Sequence, residues 1–184
     1  MALRNLTTWN DPIFRKKSRV VEAFDERLWT LLDDMRETLE KVGGYGCAAV
    51  HVGVLRRVAV VLDDSGLIEL INPTITESST ETQEVLEGSI APGAPRGYVT
   101  RPESVTVSAL DRNGNPISVS GTGFLAATFC HEIDHLDGIM FTDKEKMGLF
   151  RLLDEGREAA KEGRTRPYKD AFDDIEQEII DGHI

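Results

Sequence analysis

The first clear pattern in the sequence is a helical repeat of apolar residues over residues 25–41. Asp25 is suited to cap the start of such a helix, and the pair Gly43-Gly44 ends the repeat. Apolar side chains three or four residues apart lie on one helical face, so we expect this face to pack on a core. The apolar positions are Leu28, Leu31, Leu32, Met35 and Leu39.

Two later stretches have the alternating pattern of β-hairpins. The segment RRVAVVLDDSGLIELINP, residues 56–73, predicts two strands joined by a turn at Asp64-Ser65-Gly66. In SVTVSALDRNGNPISVSG, residues 104–121, the dipeptide Asn113-Gly114 favours a tight turn between two strands. The apolar residues that alternate with polar ones before this turn are Val105, Val107 and Ala109.

The chain returns to a helical pattern after Gly123. The segment FLAATFCHEIDHLDG, residues 124–138, is rich in helix formers and ends at Gly138, a natural helix C-cap. A further helix is predicted over residues 145–162, and an acidic C-terminal extension from about residue 163. Strands beside one central helix predict an α+β fold, and the length favours a single domain over residues 1–184.

Composition narrows the class of protein. The chain of 184 residues is 40% hydrophobic and 29% charged, which is ordinary for a globular protein. Its formal net charge of −11 argues against a broad nucleic-acid interface, which needs basic side chains to neutralise phosphates. No apolar segment has membrane length, and the start, MALRNLTTWNDP, lacks the apolar core of a secretory signal. We therefore expect a cytoplasmic protein that binds neither nucleic acid nor membrane.

The candidate chemistry lies in HEIDHLDG, residues 131–138. His131 and His135 are one helical turn apart, so both imidazoles can bind the same divalent cation. Glu132 lies about 100° around the helix from His131, outside this pair of ligands. From there its carboxylate can act as a general base that takes a proton from water and passes it to a leaving amine.

Two other interpretations of this motif are weaker. A surface helix can carry two histidines at this spacing by chance, but a glutamate in second place favours a metal site. A metzincin protease would have a third histidine at position 141, where this chain has Phe141. A third ligand must therefore come from elsewhere in the chain.

Three segments together resemble the peptide deformylase family, whose motifs have the forms G-x-G-x-A-A-x-Q-x-G, E-G-C-x-S and H-E-x-D-H-x-x-G. The third motif is intact at residues 131–138, the first is similar to GYGCAAVHVG, residues 44–53, and the second to EGSIAPG, residues 87–93. The resemblance implies the family's fold, an α+β domain with antiparallel sheets packed around a central HExxH helix. It also implies a metal-dependent hydrolase that removes a formyl, or similar small acyl, group from an amine, as in N-formylmethionyl peptides.

The resemblance also implies roles for individual residues. His131 and His135 would bind the metal, and Glu132 would be the general acid and base. The backbone N–H of Ile90 would donate to the oxyanion that forms during hydrolysis. Three further residues would contact the substrate: Gly44, Gly46 and Arg96.

Two departures from the family motifs fall at the site itself. The first is Ser89, which stands where the family has a cysteine thiolate that binds the metal. A neutral hydroxyl is a weaker ligand than a thiolate for a soft or borderline cation, so the exchange should weaken metal retention. Because the hydroxyl also neutralises less of the charge of the ion, any bound water should become more acidic. The exchange therefore does not by itself abolish the chemistry. By position in the motif, Ser89 is predicted to be the third ligand.

The second departure is His51, which replaces a glutamine that resembles an oxyanion donor. The imidazole could bind the metal, completing a set of three histidines, or could keep the donor role, or could simply fill the volume of the glutamine. These three roles stay open, as does the choice between Ser89, His51 and water as third ligand. Both cysteines are expected to serve packing, because Cys130 points about 100° away from His131 and Cys47 occupies a usually aliphatic position.

The predicted cofactor is one divalent ion per chain, Fe²⁺, Zn²⁺ or Ni²⁺. The predicted partner is an N-formylated peptide or a small N-acyl substrate, and the oligomeric state is not set by the sequence. The alternative is a deformylase-like paralogue that is weak or silent as a catalyst and binds a ligand, or that acts on a specialised small metabolite.

Overall fold

A computed structural model describes residues 3–63 and 66–144 of the chain. Helix α1, Glu26–Val42, forms as predicted. The Asp25 carboxylate accepts a hydrogen bond from the backbone N–H of Leu28 at 3.1 Å, and Gly43 ends the helix with a φ of 72°. The predicted apolar face is confirmed, since all five of its side chains are buried.

Seven strands make two antiparallel sheets within the described residues. The larger sheet has the order β1-β2-β3-β6-β7, and the smaller one pairs β4 with β5. The strands are β1 (Gly46–Ala48), β2 (Val58–Asp63), β3 (Gly66–Ser78), β4 (Thr82–Gly88), β5 (Arg96–Pro102), β6 (Ser104–Leu110) and β7 (Pro116–Thr122).

Both predicted hairpins are present. Strands β2 and β3 pair antiparallel up to Asp63 and Gly66, and β6 pairs with β7 on either side of Asn113-Gly114. Gly114 has a φ of 85°, in the left-handed region that this turn needs. The three alternating apolar residues of β6 are all buried, so the predicted core face is confirmed.

Strand β2 separates two apolar clusters because its successive side chains point to opposite faces. Ala59 and Val61 belong to a cluster that includes the side chains of the second helix, α2 (Gly123–Asp137). Val58 and Val60 belong to a cluster with the apolar face of α1. Helix α2 thus packs beside the sheets as the central helix, which confirms the predicted α+β fold.

Some predictions lie outside the described residues. These are the turn positions Asp64 and Ser65, the helix over residues 145–162 and the acidic extension from about residue 163. A single domain over residues 1–184 therefore stays a prediction. Among residues 3–63 and 66–144, the helices lack the combination of length and apolar composition that a membrane-spanning helix requires.

Candidate metal centre

Helix α2 brings the two predicted metal-binding histidines together. His131 and His135 lie one turn apart, and their Nε2 atoms are separated by 3.0 Å. Both side chains are buried, and the helix ends immediately after them at Gly138, whose φ is 77°. The local spacing in the sequence is therefore sufficient to aim both Nε2 atoms at one point.

The orientation of His131 is set by a buried carboxylate on β4. Nδ1 of His131 donates to Oε2 of Glu87 at 2.8 Å. Arg101 on β5 donates to both oxygens of Glu87, at 2.7 and 2.9 Å, and to Asp134 of α2 at 2.6 Å. With Nδ1 carrying the hydrogen, Nε2 of His131 keeps its lone pair for an ion, as in many metal-binding histidines.

This network also controls protonation around His131. Burial alone would raise the pKa of Glu87, but the hydrogen bonds from His131 and Arg101 lower it to about 2. Burial would lower the pKa of His131, yet the hydrogen bond to Glu87 raises it above its ordinary value. Glu87 is therefore an anion at neutral pH, and its negative charge makes Nε2 of His131 a better electron donor.

The two histidines fit a bound cation. Burial lowers the pKa of His135 well below its ordinary value, so this imidazole is neutral and its Nε2 faces that of His131. Two neutral nitrogens with lone pairs at 3.0 Å repel each other unless a proton or a metal ion lies between or beside them. Imidazole ligands suit Zn²⁺, Fe²⁺ or Ni²⁺ better than Mg²⁺ or Ca²⁺, which prefer oxygen ligands.

Glu132 lies beside this pair and is 3% exposed. Its Oε2 is buried without a hydrogen-bond partner among the described residues. Burial raises the pKa of Glu132 to about 7, against the opposing influence of His131 and a backbone hydrogen bond from Ala48. A carboxylate with a pKa near neutrality can both accept and return a proton, which is the property required of a general acid and base.

The approach of Glu132 depends on a glycine in β1. A β-carbon at Gly46 would lie 2.4 Å from Oε1 of Glu132 and 2.8 Å from its Cγ. Any larger residue at this position would therefore displace the carboxylate. This contact explains the need for glycine at Gly46 on local steric grounds.

His51 and Ser89, the two positions that depart from the family motifs, contact each other. Nε2 of His51 lies 3.0 Å from Oγ of Ser89, and the backbone N–H of Ala91 donates to the same Oγ at 3.3 Å. Nδ1 of His51 lies 3.1 Å from both the N and the O of Ala48, and 3.9 Å from Oε2 of Glu132. Burial, together with the charge of His131, lowers the pKa of His51 to about 3, so its ring is neutral.

This contact bears on the third ligand. Over residues 3–63 and 66–144, no three of the His, Cys, Asp and Glu side chains are placed to hold one metal ion. Nε2 of His51 is directed to Oγ of Ser89, 3.0 Å away. The assignment of Ser89 as a metal ligand stays a prediction, as do the roles of His51 and Ile90.

The predicted substrate contacts share one cavity with most of the predicted catalytic and metal-binding residues. Its volume is about 350 Å³, and Gly44, Gly46 and Arg96 line it. The other predicted site residues in its wall are His51, Ser89, Ile90, His131 and Glu132. The mouth carries two exposed aromatic rings, Tyr45 and Phe124, whose centroids are 4.8 Å apart. Except for His135, which lies deeper, the whole predicted site therefore faces one pocket.

Both cysteines are buried, in line with the packing role expected from the sequence. Cys130 belongs to the cluster on α2, and Cys47 to the cluster that includes α1. Burial, with a smaller influence from Glu132, raises the pKa of the Cys47 thiol well above its ordinary value.

Sequence reasoning overlooked Arg101 and assigned no role to Glu87. A signal for Glu87 was present, because it opens the segment EGSIAPG that resembles the second family motif. Local spacing could not assign a role to Arg101, because its partners Glu87 and Asp134 lie 14 and 33 residues away in the sequence.

A helix with two convergent histidines and an intervening buried glutamate, beside a cavity, defines a metallohydrolase of the HExxH class. Within that class, this chain belongs to the polypeptide deformylase family, whose sequence model matches residues 3–148.

Individual relatives agree with this assignment. The chain is 48% identical to a peptide deformylase of Finegoldia magna over 146 residues, which are 78% of this chain and 90% of the relative. It is 47% identical to one from Acetivibrio thermocellus over 167 residues, 90% of this chain and 95% of the relative. Among solved structures, the peptide deformylase of Thermotoga maritima has a TM-score of 0.76 at 29% identity, covering 79% of this chain and 99% of that one. The peptide deformylase of Legionella pneumophila has a TM-score of 0.75 at 35% identity, covering 90% of this chain and 100% of that one.

Proposed function

We propose that this protein is a metal-dependent deformylase, which hydrolyses the formyl amide at the amino terminus of an N-formylmethionyl peptide. The observation that carries the proposal is the convergence of the Nε2 atoms of His131 and His135, 3.0 Å apart, beside the buried Oε2 of Glu132, which has no hydrogen-bond partner in the described part of the chain. The 48% identity to a peptide deformylase supports the same activity.

In the proposed site, His131 and His135 would hold the ion, with Ser89 as third protein ligand. The ion, when bound, would supply Lewis acidity toward the formyl oxygen and would acidify water. Glu87 and Arg101 would keep His131 in the orientation that presents Nε2. One divalent ion per chain is proposed, and Fe²⁺, Zn²⁺ and Ni²⁺ are the candidates to compare.

Glu132 would take a proton from the attacking water and return it to the departing amine. The backbone N–H of Ile90 and the imidazole of His51 would donate hydrogen bonds to the oxyanion that develops on the formyl group. For this role Nε2 of His51 must carry the hydrogen, and the backbone N–H of Ala48, 3.1 Å from Nδ1, can satisfy the other ring nitrogen.

The substrate would enter the cavity with its peptide backbone along β1 and its first side chain in the apolar part. Gly44, Gly46 and Arg96 would contact the peptide backbone. A deformylase from Acinetobacter baumannii, 28% identical to this chain with a TM-score of 0.72, has been solved with Met-Ala-Ser bound. Another structure from that organism holds actinonin. A cytoplasmic location remains part of the proposal.

The test is formate release from formyl-Met-Ala-Ser by the full chain, as purified and after reconstitution with Fe²⁺, Zn²⁺ or Ni²⁺, with metal content measured on the same samples. We expect stoichiometric metal and metal-dependent formate release. Glu132→Gln should lower kcat by about 10²–10⁴-fold while metal content is unchanged. Absence of both metal and formate release after reconstitution would overturn the proposal.

One observation favours a second candidate. Ser89 in place of the thiolate weakens the metal site, which suits a paralogue that binds a ligand or acts on a specialised small N-acyl metabolite. Stoichiometric metal without formate release from formyl-Met-Ala-Ser would select the altered substrate. Failure to retain metal, with intact binding of Met-Ala-Ser, would select the binding protein.

A further inference from the structure

The contact between His51 and Ser89 places a hydroxyl beside an imidazole at the wall of the cavity. Nε2 and Oγ are 3.0 Å apart, the distance of a hydrogen bond between a nucleophile and its base. His51 is 1% exposed, whereas Ser89 is only partly buried and lines the cavity. A substrate carbonyl in the cavity can therefore approach Oγ but not the far side of the imidazole.

A third group lies on the opposite side of the imidazole. Oε2 of Glu132 is 3.9 Å from Nδ1 of His51, and the carbonyl oxygen of Ala48 is 3.1 Å from the same nitrogen. Nδ1–H can donate to that carbonyl, which leaves the lone pair of Nε2 facing Ser89. The nearby carboxylate would stabilise the positive charge that the ring acquires when it accepts a proton.

We propose that Ser89 and His51 form a nucleophile and base pair, which gives this chain a second, metal-independent activity: acyl transfer from small activated acyl esters through a covalent ester at Ser89. The activity goes beyond deformylation and belongs to the chain when Ser89 is not engaged by a metal ion. The N and the O of Ala48 both lie 3.1 Å from Nδ1 of His51. The backbone can therefore support the tautomer with the hydrogen on Nε2, which the oxyanion donor in deformylation needs, and the tautomer with the hydrogen on Nδ1, which acyl transfer needs.

The reaction balances within the site. Oγ of Ser89 forms a bond to the acyl carbon as its proton passes to Nε2 of His51. The bond from the acyl carbon to the leaving oxygen then breaks, and the leaving group departs with the electron pair and takes the proton from His51. Water next attacks the ester at Ser89, gives one proton to His51, and releases the carboxylic acid as Oγ regains that proton. The backbone N–H of Ile90 would donate to the oxyanion in both halves.

The position of Ala91 supports a reactive serine. Its backbone N–H donates to Oγ of Ser89 at 3.3 Å, so Oγ is held by a donor while its own hydrogen is free to point at His51. The hydroxyl is thus oriented for proton transfer to Nε2 of His51, 3.0 Å away.

The experiment uses p-nitrophenyl acetate with the full chain, treated with a chelator and compared with the untreated sample. We expect a burst of p-nitrophenol of about one equivalent, and an acetyl group located on Ser89 by mass spectrometry of the quenched protein. Ser89→Ala should abolish the adduct.

His51→Gln restores the residue of the family motif. It should lower the acylation rate at least about tenfold, which is a small effect for the loss of a general base. Ser118→Ala, at an exposed position of β7, is the matched control and should acylate normally.

Two outcomes would overturn the proposal. One is absence of any acetyl adduct at Ser89 in the chelated parent protein, which needs no variant to fold. The other is equal acylation of Ser89 in His51→Gln and in the parent. Because acylation is measured without metal and formate release with it, failure of this activity and failure of deformylation are separate results.

Discussion

Nδ1 of His131 donates to Glu87 at 2.8 Å, which links a residue of α2 to a residue of β4 that lies 44 positions earlier in the sequence. The bond fixes both the ring orientation and the tautomer of a proposed metal ligand. The carboxylate is held in turn by two hydrogen bonds from Arg101 on β5. The smaller sheet therefore supports the proposed metal centre on the helix.

Glu87→Gln should weaken metal binding. The amide cannot supply the negative charge, and it can present an N–H where His131 needs an acceptor, so Nε2 loses both its orientation and its donor strength. We expect metal affinity to fall by about 10–100-fold, as measured by competition with a chelator of known affinity. Glu84→Gln, at an exposed position of the same strand, is the control and should leave the affinity unchanged. Equal affinities for Glu87→Gln and the parent would contradict the role given to Glu87.

Arg101→Met should destabilise the fold. Arg101 is 3% exposed and donates to both oxygens of the buried Glu87, so its loss leaves that carboxylate without its guanidinium partner, whereas Asp134 keeps Lys144. Breaking a buried pair in this way lowers the free energy of unfolding by about 3–5 kcal/mol. Urea denaturation measures the change. Arg36→Met, which removes a partly exposed helical pair with Asp33, should change it by only about 0.3–0.5 kcal/mol.

Gly46→Ala should impair catalysis without removing the metal. The added methyl group would meet Oε1 of Glu132 at 2.4 Å, so the carboxylate must move away from its position beside the histidines. We expect kcat for formate release to fall by at least about tenfold, because misplacement of a general base loses part of its contribution. Metal content should stay unchanged.

The double variant Gly46→Ala with Glu132→Gln tests whether displacement of the Glu132 carboxylate causes the loss of kcat. If the glycine acts only through the carboxylate, the second substitution adds no further loss to that of Glu132→Gln. Additive losses would show that Gly46 acts in another way, for example through the substrate.

Ser89→Cys should tighten metal binding. The thiolate of the family motif carries a full negative charge and is a stronger ligand than a hydroxyl for Zn²⁺, Fe²⁺ or Ni²⁺. We expect the affinity to rise by at least about tenfold, equivalent to about 1.4 kcal/mol. Chelator competition measures it, with Ser118→Cys as a control for adventitious thiol binding. Unchanged affinity in Ser89→Cys would show that position 89 does not face the ion.

Elements with strong periodicity were predicted from the sequence with small errors. Helix α1 follows from apolar spacing, a capping Asp25 and a terminating Gly43, all of which are local properties. Strands β4 and β5 were not predicted, and β4 shows why. Six of its seven residues are exposed or half-buried, and Glu87 is the buried one, so β4 lacks the apolar alternation that marks a half-buried strand.

The predicted site likewise contains some relationships that local sequence spacing determines and others that depend on the tertiary fold. His131, Glu132 and His135 were predicted because the spacing of one helix fixes their relative placement. The contact of His51 with Ser89 joins residues 38 positions apart, and only the sheet topology brings them together. The sequence indicated that both positions depart from the family motifs, but it could not indicate that the new side chains hydrogen-bond to each other.

Asp143→Asn should remove an acid-sensitive contribution to stability. Burial would raise the pKa of Asp143, but hydrogen bonds from Arg15 and from the backbone N–H of Met140 lower it below its ordinary value. A carboxyl with a lowered pKa in the folded state stabilises the protein above the unfolded pKa, about 3.9, and loses this contribution as pH falls through the folded pKa. Since both side chains of the pair are partly exposed, the parent should exceed the variant by at most about 1 kcal/mol at pH 7. Urea denaturation at pH 7 and below pH 4 should show that difference shrinking on acidification. The same substitution in an Arg15→Gln background should have a smaller effect at pH 7, and an equal effect in both backgrounds would exclude Arg15 as the cause.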